Sequence, residues 1–154
     1  MFKNIAHIIV TFILPALLVA QNTTDDYQKF SGKITQYSRN DFNADPQFWS
    51  MCQSKDGTIF FGNNDGVLIF DGEHWQKASL PNNSSVRSLE IDSKGTIYAG
   101  GYNEMGILRK TNNGRYVYKS LIEELQLEGK NIENIWDIHT IGNRTLCRSF
   151  NELL

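Results

Sequence analysis

From Phe48 onward, apolar runs of four to seven residues alternate with short turns rich in Asn, Asp, Gly and Ser. Runs of that length, bounded by turn formers, are the signature of strands. Lys55-Asp56-Gly57-Thr58-Ile59-Phe60-Phe61-Gly62 is echoed by Ser93-Lys94-Gly95-Thr96-Ile97-Tyr98-Ala99-Gly100, with an offset of 38 throughout. Each copy follows an apolar run, Trp49 to Ser54 and Val86 to Ser93, and leads through a second turn into Val67-Leu68-Ile69-Phe70 or Ile107-Leu108. Asn64-Asp65-Gly66 and Asp71-Gly72-Glu73 read as tight turns, because these residues tolerate positive φ and satisfy local backbone groups with their side chains. The pattern predicts strands near 47–53, 58–62, 67–70 and 74–77, then near 86–92, 96–100, 106–110 and 115–120.

Four short strands per copy and a period near 40 predict an all-β protein, a partial β-propeller of about two and a half four-stranded antiparallel blades. Blade 1 spans about 45–78 and blade 2 about 86–120. Leu121 to Lys130 carries good helix formers and an apolar stripe, so 121–131 reads as a helical insertion between blades. Ile135-Trp136-Asp137-Ile138-His139 repeats the first-strand pattern and Thr145-Leu146-Cys147 begins a second strand, giving a partial blade 3 over about 134–154. A propeller closes with about four to eight blades, because each blade needs neighbours on both faces. An open stack of this size would leave Phe60, Phe70, Trp75 or their partners on uncovered faces. The expectation is a piece of a longer protein; the rival is a short protein that self-associates to complete a ring.

Upstream, Lys3 precedes the apolar run Ile8 to Ala20, and Ala20 offers a small-residue cleavage site before Gln21. That arrangement predicts a secretory signal peptide over 1–20 and a polar leader over 21–33. The run contains Pro15 and falls short of the ~20 residues that span a bilayer, so no membrane span is expected in the mature chain. The protein is expected to be exported and periplasmic. The two cysteines, Cys52 and Cys147, each sit in an apolar run and read as two buried thiols rather than a bridge. Composition adds that the chain folds, with 40% hydrophobic and 21% charged residues in 154. A net charge of -2 disfavours direct nucleic-acid binding.

Phe48-Trp49-Ser50-Met51, followed by Gly57 through Trp75, resembles the first blade of the two-component regulator propeller family. Val86-Arg87-Ser88-Leu89, followed by Ile97 through Leu108, is similar to the second blade, and Ile34 to Arg39 resembles the strand that leads into the first. The asparagine turn, the Phe-Asp-Gly turn and the Glu-x-Gly turn occur in family order. The resemblance implies an exported sensor of a Gram-negative bacterium. Such a sensor has a periplasmic propeller, a β-sandwich, one transmembrane helix, and a histidine kinase or helix-turn-helix output. It implies a small ligand, with oligosaccharides among the cues, and the remaining blades of a parent sensor as partners. The alternative reading is a self-assembling exported carbohydrate-binding module.

No catalytic constellation stands out, and the chain is read as a non-enzyme without a cofactor. Ser54-Lys55-Asp56-Gly57-Thr58 looks like the Ser-x-Asp-x-Gly-x-Thr turn of sialidases, but it lacks one residue and that turn is structural there. Asp71, Glu73, Asp92 and Glu104 are the carboxylates a glycosidase would need, and all four read as turn caps. His74 and His139 lack partners at metal-ligand spacing, and Asn63-Asn64-Asp65-Gly66 lacks a calcium-loop pattern. Among the aromatics, Trp49, Trp75, Tyr98, Tyr102 and Trp136 could stack on sugar rings, although most read as core. Trp75 and Tyr102 are the chosen ligand-binding candidates because they flank turns.

Overall fold

The computed structural model describes residues 32–154. The signal peptide read at 1–20, and residues 21–31 of the polar leader, lie outside the described residues. Residues 32–36 form no regular element, and the compact unit runs from Tyr37 to Leu154.

After a four-residue helix α1 (Arg39–Phe42), ten strands follow in chain order. They are β1 (Phe48–Gln53), β2 (Ile59–Asn63), β3 (Gly66–Phe70), β4 (Trp75–Ala78), β5 (Val86–Ile91), β6 (Ile97–Gly101), β7 (Glu104–Lys110), β8 (Tyr116–Ser120), β9 (Ile135–Ile141) and β10 (Arg144–Ser149). β1-β2-β3-β4 and β5-β6-β7-β8 are two four-stranded antiparallel meanders, and β9-β10 is an antiparallel hairpin. The chain is therefore all-β, built from repeated antiparallel sheets, as the hydrophobic pattern predicts. The strands fall within two residues of the expected ranges.

The sheets repeat in register as well as in order. Phe48 pairs with Asn63 and Ser50 with Gly62, while Val86 pairs with Gly101 and Ser88 with Gly100, so every partner is displaced by the same 38 positions. Loop chemistry repeats too. Ser54, Asp92 and Thr111 each open a five-residue loop in which the first amide donates to the fifth carbonyl, at 2.9, 3.0 and 2.7 Å. The fourth residue is Gly57, Gly95 or Gly114, at φ of 89, 88 and 82°, a region that only glycine enters without strain. The sialidase-like turn at Ser54 is one of these three hairpin ends.

Alternation along the strands sends opposite sets of side chains to the two faces. Phe60, Val67, Ile69 and Ala78 of the first sheet pack with Val86, Leu89, Ile97, Ala99 and Leu108 of the second. A second core joins Met105 to Ile132, Ile135, Ile138 and Cys147 at the hairpin. Burying each large side chain in these layers contributes roughly 1.5–3 kcal/mol. First strands lie side by side, β1 against β5 and β5 against β9.

Three expectations need correction. Phe60, Phe70 and Trp75 are not left uncovered: Phe60 is fully buried between the sheets, and Phe70 is buried on the other face. There, Tyr37 and Phe42 place their rings 5.1 Å from Phe70 and 5.6 Å from Trp75. The segment read as a helical insertion, 121–131, is a run of turns. Leu125 donates to Leu121 as in a helix, but Leu127 donates to Ile122 and Gln126 turns to a φ of 54°, which buries Leu127 in the second core. Ile34 to Arg39 forms no strand; instead the Ser38 amide and hydroxyl donate to Asp41, at 2.6 and 2.7 Å, and start α1.

Candidate functional site

Each first strand carries one extra residue. The pairing of β1 with β2 skips Trp49, that of β5 with β6 skips Arg87, and that of β9 with β10 skips Trp136. A bulge of this kind leaves a residue out of the ladder and re-aims its side chain. Because the three first strands are neighbours, the three bulged side chains meet. The Arg87 guanidinium carbon lies 3.6 Å from the centre of the Trp49 ring and 5.5 Å from that of Trp136. An arginine between two indoles is a cation–π stack.

The surroundings fix one indole and leave the cation unsatisfied. Trp49 Nε1 donates to Asn64 Oδ1 at 2.8 Å, and Asn64 Nδ2 donates to Asp45 Oδ1 at 3.1 Å, tying the ring to the β2–β3 turn. Among the described residues, Arg87 Nε and Nη1 are buried without a hydrogen-bond partner, and none of the ion pairs includes Arg87. Burial lowers its affinity for the proton from the usual arginine value, yet a guanidinium keeps its charge throughout the physiological range. Trp49 and Trp136 remain 42% and 37% exposed. The group thus presents two half-exposed indoles around a half-buried cation whose Nε and Nη1 are closed to solvent.

Of the two residues picked from sequence, Tyr102 lies at this end of the sheets and Trp75 at the other. Tyr102 follows β6 at the position that Asn64 holds after β2, is half-exposed, and bridges to Asn134. Trp75 pairs with Phe70 at the far end of the first sheet. Its ring stacks on Phe70 at 4.6 Å and meets Phe61 and Tyr37, so it holds the aromatic cover in place. Trp49 and Trp136 stood among the aromatics weighed from sequence, but Arg87 did not. Its signal was the offset that places it on Trp49.

The carboxylates do other work. Asp71 accepts from the Glu73 and His74 amides at 2.9 and 2.6 Å, and Asp92 accepts from those of Lys94 and Thr96 at 2.9 and 2.8 Å. Glu104 is not the turn cap expected of it: it is buried in β7, accepting from Tyr118 Oη at 3.1 Å and Ser120 Oγ at 2.6 Å. Asn64-Asp65 is a two-residue hairpin turn, with Asn63 paired to Gly66. His74 Nδ1 approaches Asp71 at 3.7 Å and His139 lies exposed on β9. No cluster of three His, Cys, Asp or Glu residues suited to a metal occurs among the described residues. A cleft of about 540 Å³ opens between the Ser54 and Asp92 loops, but its Lys110 already faces Asp56 at 3.9 Å. No helix among the described residues is long and apolar enough to cross a membrane.

No protein-family model matches the chain, and none of the curated proteins matches it.

Proposed function

We propose that the chain supplies blades to a ligand-sensing β-propeller of an exported regulator, of the two-component or helix-turn-helix type, and that it performs no catalysis. The observation that carries this reading is the recurrence of one bulged first strand in three consecutive sheets, side by side. Propeller blades are four-stranded sheets set around a central channel, and bulges are frequent where a strand re-aims a side chain beside a binding site. The side chains aimed there, Trp49, Arg87 and Trp136, suit recognition more than bond breaking. Family order of the turns, read from sequence, supplies the regulator context and an oligosaccharide as the cue.

Fusing the chain, with its leader, to alkaline phosphatase and screening the purified protein on an oligosaccharide array tests the reading. Periplasmic phosphatase activity and saturable binding without turnover are expected. Retention of an inactive fusion in the cytoplasm, or hydrolysis of any bound glycan, would overturn it.

A further inference from the structure

The three five-residue hairpin ends share one scaffold, and the third differs from the first at a chemically labile position. Thr111-Asn112-Asn113-Gly114-Arg115 contains the single Asn-Gly step of the chain. Asparagine is thermolabile, and most so before glycine, whose nitrogen has no side chain beside it to hinder attack on the asparagine Cγ. Asn113 and Gly114 are both exposed, and a Cβ at Gly114 would meet nothing within 4 Å. The fold adds two donors on one oxygen. The Arg115 amide donates to Asn113 Oδ1 at 3.3 Å, and the Thr111 hydroxyl donates to the same atom. That hydroxyl's proton lies toward Oδ1, because the Arg115 carbonyl stands farther from it, at 2.8 Å. Together the donors polarise Cγ as an oxyanion hole polarises an acyl carbon. In the first loop Asp56 holds the place of Asn113, and its Oδ1 accepts from the Ser54 hydroxyl and, at 3.2 Å, from the Thr58 amide. A carboxylate therefore fits this scaffold with the same two bonds.

We propose that Asn113 is a self-modification site, at which water converts the side-chain amide to a carboxylate within the folded loop. The Gly114 nitrogen gives its proton to hydroxide and bonds to Cγ; the bond from Cγ to Nδ2 breaks, ammonia leaves, and a cyclic imide remains. Water then adds to Cγ, the bond from Cγ to the Gly114 nitrogen breaks, and that nitrogen regains a proton. One water is consumed and one ammonia released. Donors on Oδ1 direct water to Cγ rather than to the backbone carbonyl, so the product is ordinary aspartate. Attack at the backbone carbonyl gives isoaspartate, which lengthens the main chain inside the loop and disrupts the 2.7 Å bond from the Thr111 amide to the Arg115 carbonyl. The Gly114 amide donates to the Thr111 carbonyl at 2.9 Å and must release it first, so the loop governs rate as well as product. The new charge arises in the cleft that Lys110 and Arg115 also line. The site does not depend on the sensor reading above.

The test is peptide mapping by mass spectrometry on the full chain, held at mildly alkaline pH in heavy-oxygen water, once folded and once in urea. The folded chain is expected to gain one labelled oxygen at position 113 and to yield a peptide that elutes with that of an Asn113→Asp standard. Its ratio of aspartate to isoaspartate should be about tenfold higher than in urea, where no fixed donor favours Cγ. That comparison needs no variant to fold. In Thr111→Val, which keeps the shape and removes one donor, the ratio should fall severalfold. Absence of conversion in the folded chain while the chain in urea converts completely overturns the proposal, as does an equal product ratio in the two states. An unchanged ratio in a folded Thr111→Val chain overturns the part given to the hydroxyl.

Discussion

Trp49 and Arg87 occupy the same bulge in successive sheets, and the guanidinium carbon of one lies 3.6 Å from the ring centre of the other. The contact recovers part of what half-burying the arginine costs, from about 0.5–1 kcal/mol for an exposed cation–π pair to about 2 kcal/mol for a desolvated one. Two donors without acceptors cost about 1–3 kcal/mol each. The second effect is larger, so the arginine destabilises the fold that holds it. Arg87→Met, which keeps the length and packs against both indoles, is expected to raise stability by about 1 kcal/mol in urea unfolding. A loss of stability in that variant would show that the stack outweighs the orphaned donors.

The same repeat fixes how closely the sheets approach. A Cβ at Gly62 would fall 2.8 Å from the Val86 carbonyl and 2.5 Å from Ser50 Oγ, and one at Gly100 would fall 2.7 Å from Ile135 Cγ2. Val86 and Ile135 are the equivalent opening residues of β5 and β9, so each glycine receives the first strand of the next sheet. Backbone and a branched Cβ cannot move aside cheaply. Gly62→Ala and Gly100→Ala are each expected to cost about 1–3 kcal/mol, as overpacking does, in a thermal or denaturant melt. Wild-type stability in either variant would mean that the sheets stand farther apart than this.

Much of this architecture was legible because turn chemistry and register are local. The offset between Lys55 and Ser93 fixed two hairpins at once, and the glycines at 57 and 95 marked where φ must be positive. A bulge is different, since it depends on which residue the neighbouring strand leaves unpaired. Nothing in the residue type of Arg87 announces it. Leu121 to Lys130 misled for a related reason: helix propensity there is outweighed by burial of Leu127 beside Ile132 and Ile138, which needs a turn at Gln126. Trp75 was chosen for flanking a turn, and its packing against Tyr37, 38 residues earlier, is a long-range contact that no local pattern encodes.

Acid should weaken the hairpin ends. Asp56 is held below the usual carboxylate value of 3.8 by the Ser54 hydroxyl and then the Thr58 amide, and Asp71 by the amides of His74 and Glu73. A carboxylate lowered in the folded state contributes stability above pH 3.8, and that contribution is lost as pH falls through the folded value. The melting temperature is expected to drop as pH is taken from about 5 to below 3. The drop should be shallower in an Asp56→Asn/Asp71→Asn double variant. Parallel profiles for the two proteins would remove these loops from the acid response.

Glu104 sets the alkaline limit. Its carboxylate is buried with no cation among its partners, and it accepts from both Tyr118 and Ser120 through one oxygen. Burial pushes the Tyr118 phenol up from its ordinary value of 10, and the nearby Glu104 charge and hydrogen bond push it further. A group raised in the folded state contributes fully below its unfolded value, so this contribution holds to pH 10 and declines as pH climbs beyond it. Tyr118→Phe is expected to cost about 1 kcal/mol at neutral pH and to flatten the fall in stability above pH 10. Glu104→Gln keeps an acceptor for both hydroxyls and should be the mildest change. Glu104→Ala strands both hydroxyls and should cost about 2–3 kcal/mol, measured by urea unfolding at pH 7 and again at pH 10.5. If Glu104→Gln and Glu104→Ala were equally destabilised, the charge itself, rather than its role as acceptor, would be what the two hydroxyls require.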